Sequence, residues 1–199
     1  MHTNSRLIFE KHAKQYFRPG MRVLEIGPDR FPSTFCSLVN DHSITWETID
    51  LYQDAKLTHS ALSEYKFPIP DKTYDIILSG QVIEHVRKIW VWMKEVARVC
   101  KAGGFVITIN PASWPYHEAP IDCWRAFPEG MRALYEDSSL SVLLSICGSL
   151  EVPESRRRIP GRSRECQPKW LRRAYKVLNR FGFPHECSFD TITIGQKAR

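Results

Sequence analysis

The chain lacks the sequence features that mark membrane-spanning and exported proteins. Its longest apolar runs, such as Ile76–Leu78 and Phe105–Ile109, are far shorter than the ~20 residues that cross a bilayer. The segment that follows Met1 has no apolar stretch ending in a small-residue cleavage site, which a signal peptide would have. We therefore expect a cytoplasmic protein without a transmembrane segment.

Cysteine pairs at metal-binding or redox spacing are also missing. The six cysteines stand singly, and no C-x-x-C motif occurs. This absence argues against a zinc ribbon and against a thioredoxin-like redox site.

The composition of the 199 residues is that of a soluble globular protein, with 43% hydrophobic and 25% charged residues. At this length we expect a single domain over residues 1–199. Within it, we expect an N-terminal helix over 1–20, a substrate-side insertion over 111–137 and a basic loop over 151–168.

The net charge of +6 is concentrated in one late segment. Residues 151–180 contain ten Lys or Arg and three Glu, a net charge of +7. A solvated basic face is the usual explanation for such a run. The alternatives are contact with an anionic membrane surface, with RNA, or with a phosphate group on the substrate.

Short apolar runs alternate with helical patterns along most of the chain. Strands are predicted at 21–27, 43–50, 74–80, 105–110, 141–147 and 190–196. Helices are predicted at 82–100, 128–137 and 169–180, from apolar residues that recur every three or four positions. This alternation predicts an α/β fold with a doubly wound, mainly parallel sheet, Rossmann-like, with helices on both faces.

Polar residues follow three of the predicted strands, where a doubly wound sheet binds its ligands. Gly27 and Asp50 stand close to the spacing that separates a glycine turn from a ribose-binding acid. That spacing alone fits NAD, FAD or S-adenosylmethionine. However, no G-x-G-x-x-G motif occurs, Pro28 has no N–H to donate, and Glu25 and Asp29 place negative charge beside the turn. These features favour a positively charged nucleoside without phosphate.

Four segments, taken in order, resemble the successive motifs of class I S-adenosylmethionine-dependent methyltransferases of the methyltransferase type 11 kind. They are VLEIGPD, ETIDLY, FPIPDKTYDIILSGQVIEHV and KEVARVCKAGGFVITINP, within residues 20–112. The resemblance implies the class I methyltransferase fold, S-adenosylmethionine as methyl donor and S-adenosylhomocysteine as product.

The resemblance also implies a set of cofactor contacts. Glu25 would hold the methionine amino group, and the backbone at Gly27 and Pro28 would run beside the cofactor. Asp50 would bind the ribose, and Leu51 would pack on the adenine. The acid that the family often places near the adenine amine falls on Ser63 or Glu64, and the sequence leaves that choice open. Bordering the methionine moiety would be Ser79, Gly80 and Gln81.

Two histidines and one acid are the catalytic candidates on the acceptor side. His85 follows the predicted strand that ends at Gly80, whereas His117 and Asp122 follow the strand that ends at Asn110. Either histidine could be a general base, because imidazole titrates near working pH. Glu84, His85 and His117 could instead bind a metal, although Gln81 replaces the first acid of that pattern, and we expect no metal site. In a third alternative, Glu84 caps the following helix and His85 only lines the cofactor pocket. Asp122 could also simply pair with Arg125.

The acceptor loop is rich in aromatic residues that could wall an apolar or sugar-binding pocket: Trp114, Tyr116 and Trp124. The pattern over 81–130 resembles methyltransferases of bacterial polysaccharide and natural-product pathways. We therefore expect methyl transfer to a small-molecule or saccharide acceptor, most often a hydroxyl. The alternatives are an RNA methyltransferase, although nucleic acid is the less favoured partner, and a catalytically silent cofactor-binding module that acts through its basic segment. A membrane-surface role of that segment would suit a lipid-linked saccharide.

Overall fold

The computed structural model describes residues 2–118 and 120–199. The strands are β1 (Arg22–Ile26), β2 (Thr45–Asp50), β3 (His59–Ser60), β4 (Tyr74–Gly80), β5 (Cys100–Ser113), β6 (Leu140–Gly148), β7 (Arg158–Pro160), β8 (His185–Cys187) and β9 (Phe189–Lys197). The α-helices are α1 (Thr3–Ile8), α2 (Thr34–Val39), α3 (Ile89–Val99), α4 (Pro128–Asp137) and α5 (Lys169–Leu178). All six strands and all three later helices predicted from the sequence are present, with different bounds for some.

Seven of these strands form one sheet in the order β3-β2-β1-β4-β5-β9-β6. The pairs from β3 to β5 are parallel, whereas β9 runs antiparallel to both β5 and β6. The chain moves outward from β1 through β2 to β3 and then returns to β4 on the other side of β1. The topological switch point therefore lies between β1 and β4, and the predicted doubly wound, mainly parallel sheet is confirmed.

Helices cover both faces of the sheet. On one face, buried side chains of α3 and α4, such as Met93 and Met131, pack with Leu24 and Ile77 of the central strands. On the opposite face, α1 and α2 pack Ile8 and Phe35 against a second cluster of strand residues. Successive residues of each central strand point alternately into these two clusters. Because both faces of the strands are buried, their sequences are continuous apolar runs.

The helix predicted over 82–100 begins seven residues later than the sequence pattern indicates. Ile83–His85 form a 3-10 turn, Val86 is extended, and α3 starts at Ile89. Val86 nevertheless packs in the same cluster as Trp92 of the helix. The apolar spacing therefore reflects burial on one side of the sheet, and this stretch satisfies it without being helical.

Two further segments differ from the prediction. The strand predicted at 105–110 extends over Cys100–Ser113, so the predicted insertion at 111–137 reduces, apart from α4, to irregular segments at 114–118 and 120–127. Residue 119 and Met1 lie outside the described residues. The predicted loop at 151–168 contains β7, which pairs with β8 in a separate parallel sheet, and a 3-10 turn at Arg164–Cys166.

The segment predicted as an N-terminal helix over 1–20 is helical over residues 3–16 and extended at Phe17. After α1 the backbone continues through a π-helical turn, Phe9–Ala13, and a 3-10 turn, Lys14–Tyr16. Among the described residues, no helix combines the length and apolar character that a bilayer span requires.

Candidate functional site

A cavity of about 310 Å³ opens at the carboxyl ends of β1, β2 and β4, at the topological switch point. Its lining is mainly apolar, with acids and a histidine at the rim. The lining residues are Ile26, Gly27, Ile49, Asp50, Leu51, Tyr52, Ala61, Ser63, Glu64, Phe67, Gln81, Val82, His85, Val86, Trp92 and Pro120.

Gly27 forms the tight bend that follows β1. Its φ is +69°, in the left-handed region that disfavours residues with a Cβ, and a Cβ placed there would lie 2.4 Å from Cγ2 of Val82. The amide N of Gly27 donates to the carbonyl of Ile49 across 2.9 Å, which ties the bend to the end of β2. The absence of a side chain therefore keeps the floor of the cavity open.

Asp50 ends β2 and presents its carboxylate at the cavity. Its Oδ1 accepts from the backbone amides of Leu51 at 2.6 Å and Tyr52 at 3.3 Å. Within residues 2–118 and 120–199, no donor occupies Oδ2. One carboxylate oxygen is thus held by the backbone, and the other is available to a ligand. Leu51, which follows, also lines the cavity and is exposed.

Ser63 and Glu64, between which the sequence did not decide, both line the cavity. The Ser63 hydroxyl accepts from the amide of Tyr65 at 3.2 Å. The Glu64 carboxylate pairs with the Arg87 guanidinium at 2.8 Å. The negative charge of Glu64 is therefore already compensated by Arg87.

Glu25 is buried beside the cavity and does not line it. Its carboxylate accepts from the Ser33 hydroxyl and from Nε1 of Trp46, the latter at 2.8 Å. Burial raises the pKa of Glu25 to about 7, against the lowering effect of these two donors. Ser33 also caps the N-terminus of α2, so Glu25 connects β1, β2 and the start of that helix.

Three other residues predicted to contact the cofactor are likewise absent from the cavity lining: Pro28, Ser79 and Gly80. Ser79 is buried within β4. At Gly80 a Cβ would lie 2.5 Å from the Phe35 ring, so this glycine makes room for α2. The packing of α2 on the sheet explains the small residue at this position.

Gln81 lines the cavity and takes part in a buried polar network that the sequence did not reveal. Its φ is +60°, unusual for a residue with a side chain. Its Nε2 donates to Oγ of Ser5 at 3.0 Å and to Oδ1 of Asp190 at 3.1 Å. Asp190 is fully buried and also accepts from Asn4. An acid at the start of an alternating strand is the only sequence signal for this network.

His85 is the catalytic candidate that reaches the cavity. Its Nδ1 is hydrogen-bonded to the carbonyl oxygen of Ile121, and a carbonyl can only accept. In the neutral ring the proton therefore resides on Nδ1, and Nε2 carries the lone pair. Nε2 lies 3.8 Å from Oε1 of Glu84.

His117 and Asp122 stand behind His85 and do not line the cavity. The rings of His85 and His117 meet edge to face with centroids 5.1 Å apart. Nδ1 of His117 is 3.2 Å from Oδ2 of Asp122, whose carboxylate makes two hydrogen bonds with Arg125. Arg125 lowers the pKa of Asp122 to about 2, so the carboxylate is ionised near neutral pH. The pairing with Arg125 that the sequence suggested is confirmed.

Glu84 is 1% exposed, and its Oε2 has no hydrogen-bond partner among the described residues. Burial raises the pKa of this carboxyl group to about 8. Glu84 therefore holds its proton at neutral pH, which makes it a poor metal ligand there. Within the described part of the chain, no group of three His, Cys, Asp or Glu side chains is placed to hold a metal ion.

The aromatic residues of the acceptor loop do not wall the cavity. Trp114 stacks on the His2 ring at 3.8 Å, and Nε1 of Trp124 donates to the Val86 carbonyl at 2.8 Å. Tyr116 is exposed and bonds to Glu118. None of these three residues lines this cavity, and their role in an acceptor pocket stays a prediction.

The charge of the cavity lining fits S-adenosylmethionine. No Lys or Arg is among the lining residues, and Asp50 contributes a carboxylate, whereas the Glu64 carboxylate is paired with Arg87. A diphosphate would meet no cation here, but a sulfonium nucleoside would meet opposite charge and an apolar wall.

A family profile described as "Methyltransferase domain" matches residues 46–108. No curated protein matches the sequence. A solved methyltransferase from Archaeoglobus fulgidus superposes with a TM-score of 0.62 at 17% identity, covering 96% of this chain and 94% of its own. One from Aquifex aeolicus gives 0.55 at 14% identity, covering 95% and 92%. Phosphoethanolamine N-methyltransferase 2 from Haemonchus contortus, in complex with S-adenosyl-L-methionine, gives 0.59 at 11% identity, covering 99% and 53%.

The profile match covers β2 to β5, the strands that carry most of the cavity, and the fold extends over nearly the whole chain. On these two findings, the chain has the class I methyltransferase fold, and residues 46–108 are similar to a methyltransferase domain.

Proposed function

We propose that the chain transfers a methyl group from S-adenosylmethionine to a hydroxyl of a small molecule or saccharide, with His85 as the general base. The observation that carries this proposal is the imidazole at the cavity: His85 lines it, and the Ile121 carbonyl holds the proton on Nδ1. Nε2 is thus ready to accept a proton from an acceptor at that end of the cavity.

The cofactor contacts in this proposal follow the cavity lining. Asp50 receives the ribose hydroxyls on its free Oδ2, Leu51 packs on the adenine, and Ser63 lies near the adenine amine. Gln81 and the Gly27 bend border the methionine moiety. When bound, the cofactor supplies an electrophilic methyl group on its sulfonium. Glu25, in this proposal, does not touch the cofactor and connects β1, β2 and the start of α2 beside the cavity.

During the reaction, the proton of the acceptor hydroxyl moves to His85. The acceptor oxygen forms its bond to carbon while its proton passes to Nε2 of His85, and S-adenosylhomocysteine leaves. The resulting imidazolium lies within 3.8 Å of the Glu84 carboxyl group, whose ionisation it favours. His117, held by the ionised Asp122, packs against the His85 ring and acts as a positioning residue.

Turnover with isotopically labelled methyl donor tests the assignment of His85. We expect His85→Gln to lower turnover by roughly 10²- to 10⁴-fold, the usual contribution of a general base, with cofactor affinity retained. His117→Gln should lower it less, since that ring does not reach the cavity. His42→Gln, at an exposed histidine away from the cavity, is the matched control. Full turnover by His85→Gln would exclude His85 as the base.

The class of acceptor needs a panel that contains sugars, phenols, primary amines and short RNAs. The proposal expects label on hydroxyl oxygens of the small molecules. Label confined to amines or to RNA would contradict the hydroxyl assignment while leaving the cofactor assignment intact.

A further inference from the structure

Helix α5 and the turn that follows it present two parallel stripes of opposite character. At 100° per residue, the basic residues fall within one arc of about 100° on the helical wheel. Trp170, Val177 and Leu178 occupy the adjoining arc, and Phe181 and Phe183 lie beyond the helix, at the end of the 3-10 turn Asn179–Phe181 and just after it. We call this region the α5 surface. Its basic stripe comprises Lys169, Arg172, Arg173, Lys176 and Arg180, and its apolar stripe comprises Trp170, Val177, Leu178, Phe181 and Phe183.

The basic stripe carries uncompensated charge. No Asp or Glu occurs between Pro168 and Pro184, and none of the five basic residues forms an ion pair within the described residues. Arg156 and Arg164 extend the stripe, because they line two surface depressions together with residues of α5. Both depressions have basic side chains and no acidic ones, so the region attracts anions.

The apolar stripe is exposed to an extent that is unusual for a soluble domain. Trp170 is 69% exposed, Val177 57% and Phe181 75%. No residue of α5 is buried, although the helix is strongly amphipathic. A contiguous exposed apolar patch of this kind marks a surface that is covered by something else.

The opposite side of α5 rests on the protein. Leu171 and Tyr175 are half-buried, and the Tyr175 ring lies 5.5 Å from the His185 ring of β8. Since this contact holds the helix on the β7–β8 sheet, both stripes remain turned outward.

The segment that carries α5 connects β6 to β9, at the same edge of the sheet as the cavity. Ser113, at the carboxyl end of β5, donates to the Gly161 carbonyl at 3.3 Å. Thr3, at the start of α1, donates to Glu165 at 2.9 Å. The α5 surface therefore belongs to the edge at which an acceptor would enter.

We propose that the α5 surface binds the surface of an anionic lipid bilayer. A basic stripe beside a Trp, Phe and Leu stripe is the pattern of helices that lie in the membrane interface, with the cations at the headgroups and the apolar side chains below them. Val177 and Leu178 have no π-face for stacking on bases, which favours lipid over single-stranded RNA as the occupant. This inference holds whichever acceptor is methylated.

Sedimentation of the 199-residue chain with vesicles tests the proposal. One set of vesicles contains phosphatidylcholine alone, and the other contains phosphatidylserine as well. We expect binding to the anionic vesicles only, and we expect added salt to weaken it. At about 1 kcal/mol per basic residue at such a surface, Arg172→Gln with Arg173→Gln should weaken binding about 30-fold. The control, Lys11→Gln with Lys14→Gln, removes the same charge from exposed positions on the N-terminal helical segment and should leave binding unchanged.

A second pair of variants separates insertion from simple charge attraction. Trp170→Ser with Phe181→Ser retains all charges, and we expect it to weaken vesicle binding at least about tenfold through the loss of apolar burial. Leu143→Ser, at an exposed position of β6, should have no effect. Equal binding to both kinds of vesicle, or binding that survives loss of Trp170 and Phe181, would overturn the proposal. Tight binding of a short RNA, together with no binding to either kind of vesicle, would also overturn it.

Discussion

Asp50→Asn isolates the oxygen that we assign to the ribose. The backbone amides of Leu51 and Tyr52 bind Oδ1, and the amide oxygen of asparagine can accept from both. The substitution therefore retains the turn after β2 and changes only Oδ2, which becomes an NH₂ group. Since the local structure is retained, stability should change by no more than about 0.5 kcal/mol.

The expected loss follows from one or two hydrogen bonds to a charged group. At about 1.5–3 kcal/mol for such a bond, the dissociation constant for S-adenosylmethionine should rise roughly 10- to 150-fold. Isothermal titration calorimetry on folded protein measures it directly. Asp54→Asn is the control, because Oδ1 of Asp54 accepts from the Lys56 amide at 2.9 Å in a similar turn that does not line the cavity. Wild-type affinity in both variants would refute the ribose assignment.

Two further substitutions test the supports of the cavity. Gly27→Ala should destabilise the fold and weaken cofactor binding more than Gly20→Ala, because both glycines have positive φ but only Gly27 has a neighbour, Cγ2 of Val82, at 2.4 Å from the added Cβ. Thermal unfolding compares the two; equal losses would contradict the steric argument. Burial raises the pKa of Glu25 to about 7 from the ordinary value of about 4.3, so the folded state binds more protons and wild-type stability falls as pH rises through this range. Glu25→Gln removes that contribution, so the free energy of unfolding of the variant, relative to wild type, should increase by up to about 3 kcal/mol between pH 4 and 8. Chemical denaturation at each pH measures this difference. A difference that stays constant with pH would show that Glu25 does not titrate in this range.

The central strands could be predicted because their signal is local. β1, β4 and β5 are buried on both faces and read as apolar runs, and α4 has an apolar period and a proline in its first turn. The spacing of Val82, Val86 and Ile89 misled the helix prediction. These residues share a face of the core, but the positive φ of Gln81 and the extended Val86 keep the helix from starting there.

The cavity residues, like the strands, could be predicted from the sequence only where their signal is local. Gly27, Asp50, Leu51, Gln81 and His85 end or follow predicted strands at the switch point, and all five line the cavity. Ser63 and Glu64, between which the sequence left the choice open, follow a short strand that was not predicted, and both line the cavity. Tertiary contacts decide the rest. The Glu25 carboxylate does not line the cavity, because it accepts hydrogen bonds from Ser33 and Trp46. Gly80 leaves room for the Phe35 ring of α2. The network around Asp190 joins residues more than 100 positions apart, which no local pattern records.

A crystal structure of the chain with S-adenosylhomocysteine tests the central claim most directly. The account predicts density for the nucleoside in the cavity at the ends of β1, β2 and β4, with the ribose hydroxyls within hydrogen-bonding distance of Asp50 Oδ2 and with the sulfur facing His85. A ligand bound at another surface, or a ribose held by residues other than Asp50, would contradict it.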